Sequence, residues 1–134
     1  MDLQTRTSQL LAGALSGLAA RQRVIADNVA NADTPNFKAA TVTFEDQLRQ
    51  VIGASDRLPL TPVVHGLPDE AAPARITPRV VPLQHTTRRL DGNNVDLDEQ
   101  MVRLAETNLT YNALAQLLAG RLQLLRSVIQ DGRR

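Results

Sequence analysis

Residues 97–130 read LDEQMVRLAETNLTYNALAQLLAGRLQLLRSVIQ and contain no proline. Leu97, Met101, Leu104, Asn108, Tyr111, Ala115, Leu118, Leu122, Leu125 and Ile129 recur at alternating spacings of four and three. That is the a/d row of a coiled-coil seam, sustained for ten positions. Asp96 stands where an N-cap belongs, and Glu99 three residues on completes a capping-box pattern. A second row, Leu114, Leu117, Leu124 and Val128, widens the apolar arc to roughly 160°, against the roughly 100° that one core-facing side requires. The spacing therefore predicts a long helix with more than one helical neighbour.

The same pattern recurs near the N-terminus. Leu11, Leu15, Leu18, Gln22, Ile25, Val29 and Ala32 keep the four–three alternation, which predicts a helix from about Ser8 to Ala32. Leu10, Ala14, Gly17 and Val24 form a flanking stripe whose small members would let another backbone approach. Each seam carries polar residues, Gln22 in the first and Asn108 in the second, and a polar residue in a seam sets register. The predicted helices of about 25 and 34 residues span roughly 37 and 51 Å. Paired as an antiparallel hairpin, they leave about nine residues of the longer helix over, part of which is expected to cover an amphipathic stretch from Phe44 to Ile52. The expected fold is mainly α, a coiled-coil hairpin of two terminal helices with an irregular middle.

Proline defines that middle. Six of the seven prolines (Pro59, Pro62, Pro68, Pro73, Pro78 and Pro82) fall between residues 53 and 90, where helix is disfavoured. Leu58, Leu60, Val63, Val64, Ile76, Val80, Val81 and Leu83 are available for short strands, which proline confines to edges. The chain thus divides into residues 1–52, a Pro-rich middle 53–90, and 91–134, with the first and last forming one helical unit that completes its core against other subunits.

Composition narrows the chemistry. The 134 residues include no Cys, no Trp, one Tyr and two Phe, and 15 basic against 14 acidic residues give a net charge of +1. No disulfide framework or thiolate metal site is possible. There is no basic stripe with aromatic platforms of the kind a nucleic-acid binder uses. His65 and His85 stand isolated in the middle segment, without the context of a catalytic triad. No Gly-rich phosphate loop is present, and Asp91-Gly92-Asn93-Asn94-Val95-Asp96 does not match a calcium loop. An enzyme, a cofactor, a metal and a small-molecule substrate are all unexpected. No apolar run approaches the roughly 20 residues that span a bilayer, and the N-terminus does not read as a Sec signal.

The densest polar cluster follows the first helix: Asn28-Val29-Ala30-Asn31-Ala32-Asp33-Thr34-Pro35-Asn36-Phe37-Lys38. Asn28 and Asn31 share one face of the last turns and suggest an interhelical or intersubunit polar clamp. Asn36 after Pro35 suits a turn that needs a left-handed residue. Asp91-Gly92-Asn93-Asn94 reads as a tight turn leading into the last helix.

The run from Asn28 to Lys38 resembles the N-terminal signature of bacterial flagellar rod and hook proteins, with Asn36 where glycine is frequent and Phe37 where tyrosine is frequent. Phe44-Glu45-Asp46-Gln47-Leu48, the turn from Asp91 to Asp98, and Ala105-Glu106-Thr107-Asn108 with Tyr111 are similar to the short, proximal members of the flagellar basal-body rod family. The resemblance covers residues 1 to about 50 and 91–130. It implies a structural subunit that polymerises through its terminal helices into a torque-transmitting shaft in the periplasm. It implies as partners other copies of the chain, other rod proteins, the rod-base adaptor FliE and the export gate, with export through the flagellar type III apparatus. The residues expected at subunit contacts are the seam positions Leu11, Leu15, Leu18, Gln22, Ile25, Val29, Leu97, Leu104, Asn108, Tyr111, Leu118, Leu122 and Leu125, with Asn28, Asn31, Asp33, Thr34, Pro35, Asn36, Phe37, Lys38, Asn94 and Asp96. The alternatives are another short rod protein, or a secreted coiled-coil binding module or export chaperone.

Overall fold

A computed structural model describes residues 3–56, 76–83 and 90–131. The element order is α1 (Leu3–Ala30), β1 (Ala40–Thr43), α2 (Glu45–Asp56), β2 (Arg79–Pro82) and α3 (Leu97–Asp131). The fold is mainly α, with α1 and α3 packed against each other over most of their length. Their direction is antiparallel, because Asn28 near the end of α1 bonds Gln100 near the start of α3, and Gln22 bonds Asn108 two turns further along.

Helix α1 starts five residues earlier than the expected Ser8 and ends at Ala30, two residues before Ala32. The polar stretch ahead of Ser8 lacks an apolar period but also lacks a breaker, so it continues the helix. At the other end Asn31 turns its side-chain amide back onto the carbonyl of Asp27, 2.8 Å away, and a turn begins. Helix α3 matches its expected span to one residue. The Asp96 carboxylate accepts the Glu99 N–H at 3.2 Å, as an N-cap should. Asp98 and Glu99 then place negative charge at the positive end of the helix dipole.

Strand β1 was not expected, because the alternation of Thr41 and Thr43 with Val42 and Phe44 is too short to stand out between the polar turn and the amphipathic stretch. It pairs antiparallel with β2 in the register Ala40–Pro82, Thr41–Val81, Val42–Val80 and Thr43–Arg79. In a two-stranded ribbon both strands are edges, so Pro82 at the end of β2 is tolerated. Val42 is buried beneath the ribbon. Among its described residues the middle segment holds one strand, at 79–82, and, from residue 53, the end of α2. His65, His85, Leu58, Leu60, Val63, Val64 and four of the middle prolines lie outside the described residues.

Phe44 sits where the ribbon meets the helices. Four strand residues advance about 13 Å, and the eleven residues from Asn28 back to Gly17 rise about 16 Å. The ribbon therefore delivers Phe44 to Gly17, where a Cβ would lie 2.6 Å from the ring. The small stripe on α1 thus admits a side chain, Phe44 at Gly17, where a second backbone was expected, and Ile76 approaches Gly13 beside it. Phe44 joins Leu18 and Val42 in the core, with Val24, Ile76, Tyr111 and Leu114 packed around it. The Phe44–Ile52 stretch consequently lies beside the middle of the hairpin, and the surplus of α3, seven residues by the lengths of 35 and 28, does not cover it.

Candidate functional site

The turn end of the hairpin is held by side-chain amides. Asn28, 2% exposed, donates from Nδ2 to the carbonyl of Ala40 at 2.8 Å and to Oε1 of Gln100 at 3.0 Å, while its Oδ1 accepts the Ala40 N–H at 3.0 Å. One primary amide thereby pairs with both backbone groups of a strand residue and reaches across to α3, which satisfies nearly all its capacity. Of the expected clamp, Asn28 is interhelical and Asn31 is local.

Helix α1 has no basic residue in its last turn to meet its orphan carbonyls. The N–H groups of Asn31 and Ala32 do this for Asp27, Asn28 and Val29, and Asn93 serves the turn beyond. Wholly buried, it shares its two Nδ2 hydrogens among the carbonyls of Asn31, Ala32 and Thr34 at 3.0, 3.0 and 2.8 Å. Its Oδ1 accepts the Val95 N–H at 2.7 Å, and Asp91 Oδ1 accepts the Asn93 N–H at 3.1 Å. Asn94 bridges the ribbon, accepting from the Ala39 N–H and donating to the Leu83 carbonyl, both at 2.7 Å. Lys38 Nζ donates to the Gly92 carbonyl at 2.6 Å, and the Asn36 N–H donates to that of Asp91 at 3.0 Å.

Two left-handed residues make this fit possible. Asn36 has φ 61° and Gly92 φ 79°, and a Cβ on Gly92 would lie 2.6 Å from Asn36 Oδ1. The positions in the two turns that were read as left-handed or tight are therefore in direct apposition. The two turns bind each other, with Asp33, Thr34, Pro35 and Asn36 left on the outside. Among the described residues no buried side-chain polar atom lacks a partner.

Further along, Gln22 Nε2 donates to Asn108 Oδ1 at 2.7 Å, so the polar residues of the two predicted seams meet each other. Leu18 and Ile25 are buried, and Leu11, Leu15, Val29, Leu104, Tyr111, Leu118 and Leu125 are half-buried. Leu97 and Leu122 are instead about half exposed. The deepest residues of α3 are Gln100 and Thr107, one position before Met101 and Asn108. Both line the side of α3 that faces α1 and the Val42–Phe44 cluster across an open groove, and Gln100 is bonded there by Asn28. Asn93, Gln100 and Thr107 were not singled out in the sequence. The available signal was the apolar row of Leu114 on the same flank.

The ribbon is tied to α1 by one cation. Arg21 donates to the Val42 carbonyl at 3.0 Å and to the Glu45 carboxylate, and its guanidinium lies 4.9 Å from the centre of the Phe44 ring. Burial works to raise the pKa of Glu45, but the hydrogen bond from Arg21, the N–H groups of Phe44 and Glu45, and the Arg21 charge together hold it below the ordinary carboxylate value. Beside this pair an open groove of about 440 Å³ runs between α1, the start of α2 and α3, over Leu18, Val24, Phe44 and Leu114.

The other conspicuous surface is apolar. Leu117, Leu124 and Val128 on α3 are 58%, 69% and 68% exposed, and Leu109, Leu122 and Ile129 are also more than half exposed. Among the described residues no helix is long and apolar enough to cross a membrane, and no cluster of three or more His, Cys, Asp or Glu could hold a metal ion.

Comparison with known proteins bears on these surfaces. The sequence profile of the flagella basal body rod protein family matches residues 9–38, the end of which is the Asn-rich turn. The flagellar basal body rod protein FlgB of Bacillus subtilis (strain 168) is 35% identical over 133 residues, covering 99% of this chain and all of the relative. FlgB of Escherichia coli (strain K12) is 33% identical over 128 residues, 89% of each chain. FlgB of Borrelia hermsii is 32% identical over 127 residues, 87% of this chain and 90% of the relative.

Proposed function

The chain belongs to the flagellar basal-body rod protein family, and on that footing we propose that it is a non-enzymatic structural subunit of the rod's proximal part. Its terminal helices pack against neighbouring subunits and carry motor torque along the shaft. The observation that carries this reading is the match to a rod protein over 99% of this chain and all of the relative, which takes in the segments that form both turns and both long helices here. A long helix with a bare apolar row supports it independently, because a monomeric protein seldom leaves so much leucine uncovered on one element.

The contacts follow from the surfaces. The exposed residues Asp33, Thr34, Pro35 and Asn36, and the outward leucines Leu97 and Leu122, face neighbours. Asn28, Asn93 and Asn94 serve assembly indirectly by fixing the shape of the subunit. The partners are other copies of the chain, other rod proteins, and at the base the adaptor FliE and the export gate. The protein reaches the periplasm through the flagellar type III apparatus.

Deletion of the coding sequence in its own bacterium tests this. Loss of swimming and of external filaments, restored by the intact chain supplied in trans, is expected. A deletion strain that still swims would exclude a rod role and leave a secreted binding module as the better description.

A further inference from the structure

The two edges of the ribbon are closed by different means. The Leu83 N–H donates to the Ala39 carbonyl at 2.8 Å, and the bonds of an antiparallel ladder fall on every second pair. Thr41–Val81 and Thr43–Arg79 therefore exchange bonds across the ribbon, while Ala40–Pro82 and Val42–Val80 turn their backbone groups outward. On the β1 side these outward groups meet α1. Asn28 takes both groups of Ala40, and Arg21 takes the Val42 carbonyl. A helix thus supplies through side chains what a third strand would supply through its backbone.

On the β2 side the outward positions are Val80 and Pro82. Pro78, one step before the strand, continues the alternation, with the Thr77 N–H ahead of it held by Gln47 of α2 at 2.9 Å. Among the described residues none bonds the outward groups of Pro78, Val80 and Pro82. Yet the segment is a strong strand former: Ile76, Thr77, Val80 and Val81 are β-branched, and Val80 is 55% exposed. An exposed apolar edge of this kind is a template on which another strand adds.

Proline withholds the donors that such addition needs. Of the three outward positions only Val80 has an N–H. Suppose a second β2 pairs antiparallel about Val80. Each facing pair of complete residues would exchange two bonds, so an edge without proline would make six across its three pairs; here only the Val80 pair makes its two, and Pro78 faces Pro82 with acceptors alone. We propose that Pro78 and Pro82 form an edge guard, which keeps copies of this chain from joining by strand addition at the ribbon and leaves association to other surfaces. The guard goes beyond the rod reading and rests on the ribbon alone, so a swimming deletion strain would remove that reading and leave the guard standing.

The full-length double variant Pro78→Thr with Pro82→Thr returns both outward donors and touches no ladder bond. At high dilution it is expected to keep wild-type helicity by circular dichroism. Concentrated to the same level as wild type, it should form oligomers at least about tenfold faster, with a new intermolecular β band in the amide infrared spectrum. Val80→Lys added to the pair should bring the rate back to within about twofold of wild type. Oligomers formed at the wild-type rate, or faster ones without the new β band, overturn the proposal. Should the double variant lose helicity when dilute, single prolines read the direction of the edge instead. Val80→Pro removes an outward N–H and Val81→Pro a ladder one, so the first should lower the urea midpoint at least about threefold less than the second. Equal losses overturn the proposal as well.

Discussion

Replacing Asn28 by alanine tests how the hairpin is held. The truncation removes three hydrogen bonds and leaves the Ala40 N–H, the Ala40 carbonyl and Gln100 Oε1 to find new partners. A hydrogen bond contributes about 1 kcal/mol net, and a buried group left unpaired costs about 1–3 kcal/mol. Gln100 is buried but Ala40 is only half-buried, so water relieves part of the loss. The expected destabilisation is about 3 kcal/mol. At roughly 0.05–0.15 kcal/mol per residue, that is roughly 15–45% of the stability expected of a chain of this length. With a urea slope of about 2 kcal/mol/M, the unfolding midpoint followed by helical circular dichroism should fall by about 1.5 M. Asn28→Asp gives a sharper form of the test. A carboxylate cannot donate to the Ala40 carbonyl or to Gln100, so the folded state raises its pKa above the unfolded value. The deficit relative to wild type is then full at neutral pH, shrinks as pH falls through the raised value, and is relieved below the unfolded value near 3.9. A midpoint shift under about 0.3 M for Asn28→Ala would refute the view that this amide joins α1, the ribbon and α3.

Other outcomes follow from single contacts. Gly17→Ala drives a methyl into the Phe44 ring and should destabilise by about 1–3 kcal/mol despite better helix propensity, with Phe44→Leu recovering part of the loss in thermal unfolding. Gly92→Ala combines a left-handed backbone with a clash at Asn36 Oδ1 and should cost about 2 kcal/mol; the double variant with Asn36→Gly should recover the steric share. The depressed pKa of Glu45 means its contribution is present above the unfolded carboxylate value of 4.5 and lost as pH falls through the lower folded one. Arg21→Gln should flatten that acid limb, measured as stability against pH, and an unchanged limb would show that the pair does not hold the ribbon.

How much of this was legible in sequence varied with the physics. Long four–three rows and a helix cap are local signals, so both terminal helices and Asp96 were evident. Gln22 and Asn108 interrupt their rows, and the structure pairs them. Strand β1 was missed although Val42 and Phe44 alternate with Thr41 and Thr43, a period of two that four residues carry too briefly to stand out beside the polar turn. Gln100 and Thr107 were missed because their burial depends on tertiary neighbours far away in sequence, Asn28 for Gln100 and the α1 and Val42–Phe44 surfaces facing both, and nothing in the local spacing marks them. Asn93 looks in sequence like any turn asparagine. Its role exists only once the end of α1 is brought to it, and no local pattern announces that.

The apposed turns have an evolutionary corollary. Residues 36–40 and 91–94 close on each other through backbone and amide contacts, and α2 and β2 are the last described elements on either side of residues 57–75. The lock therefore fixes both rims of a socket, whatever chain runs between them. For a loop between fixed ends the closure cost grows slowly, by about 0.6 kcal/mol for each doubling of length. A folded domain spliced between residues 56 and 76 should leave the helical shaft and its turn lock unaltered, so one hairpin can serve as the common stem for subunits whose outer parts differ in size.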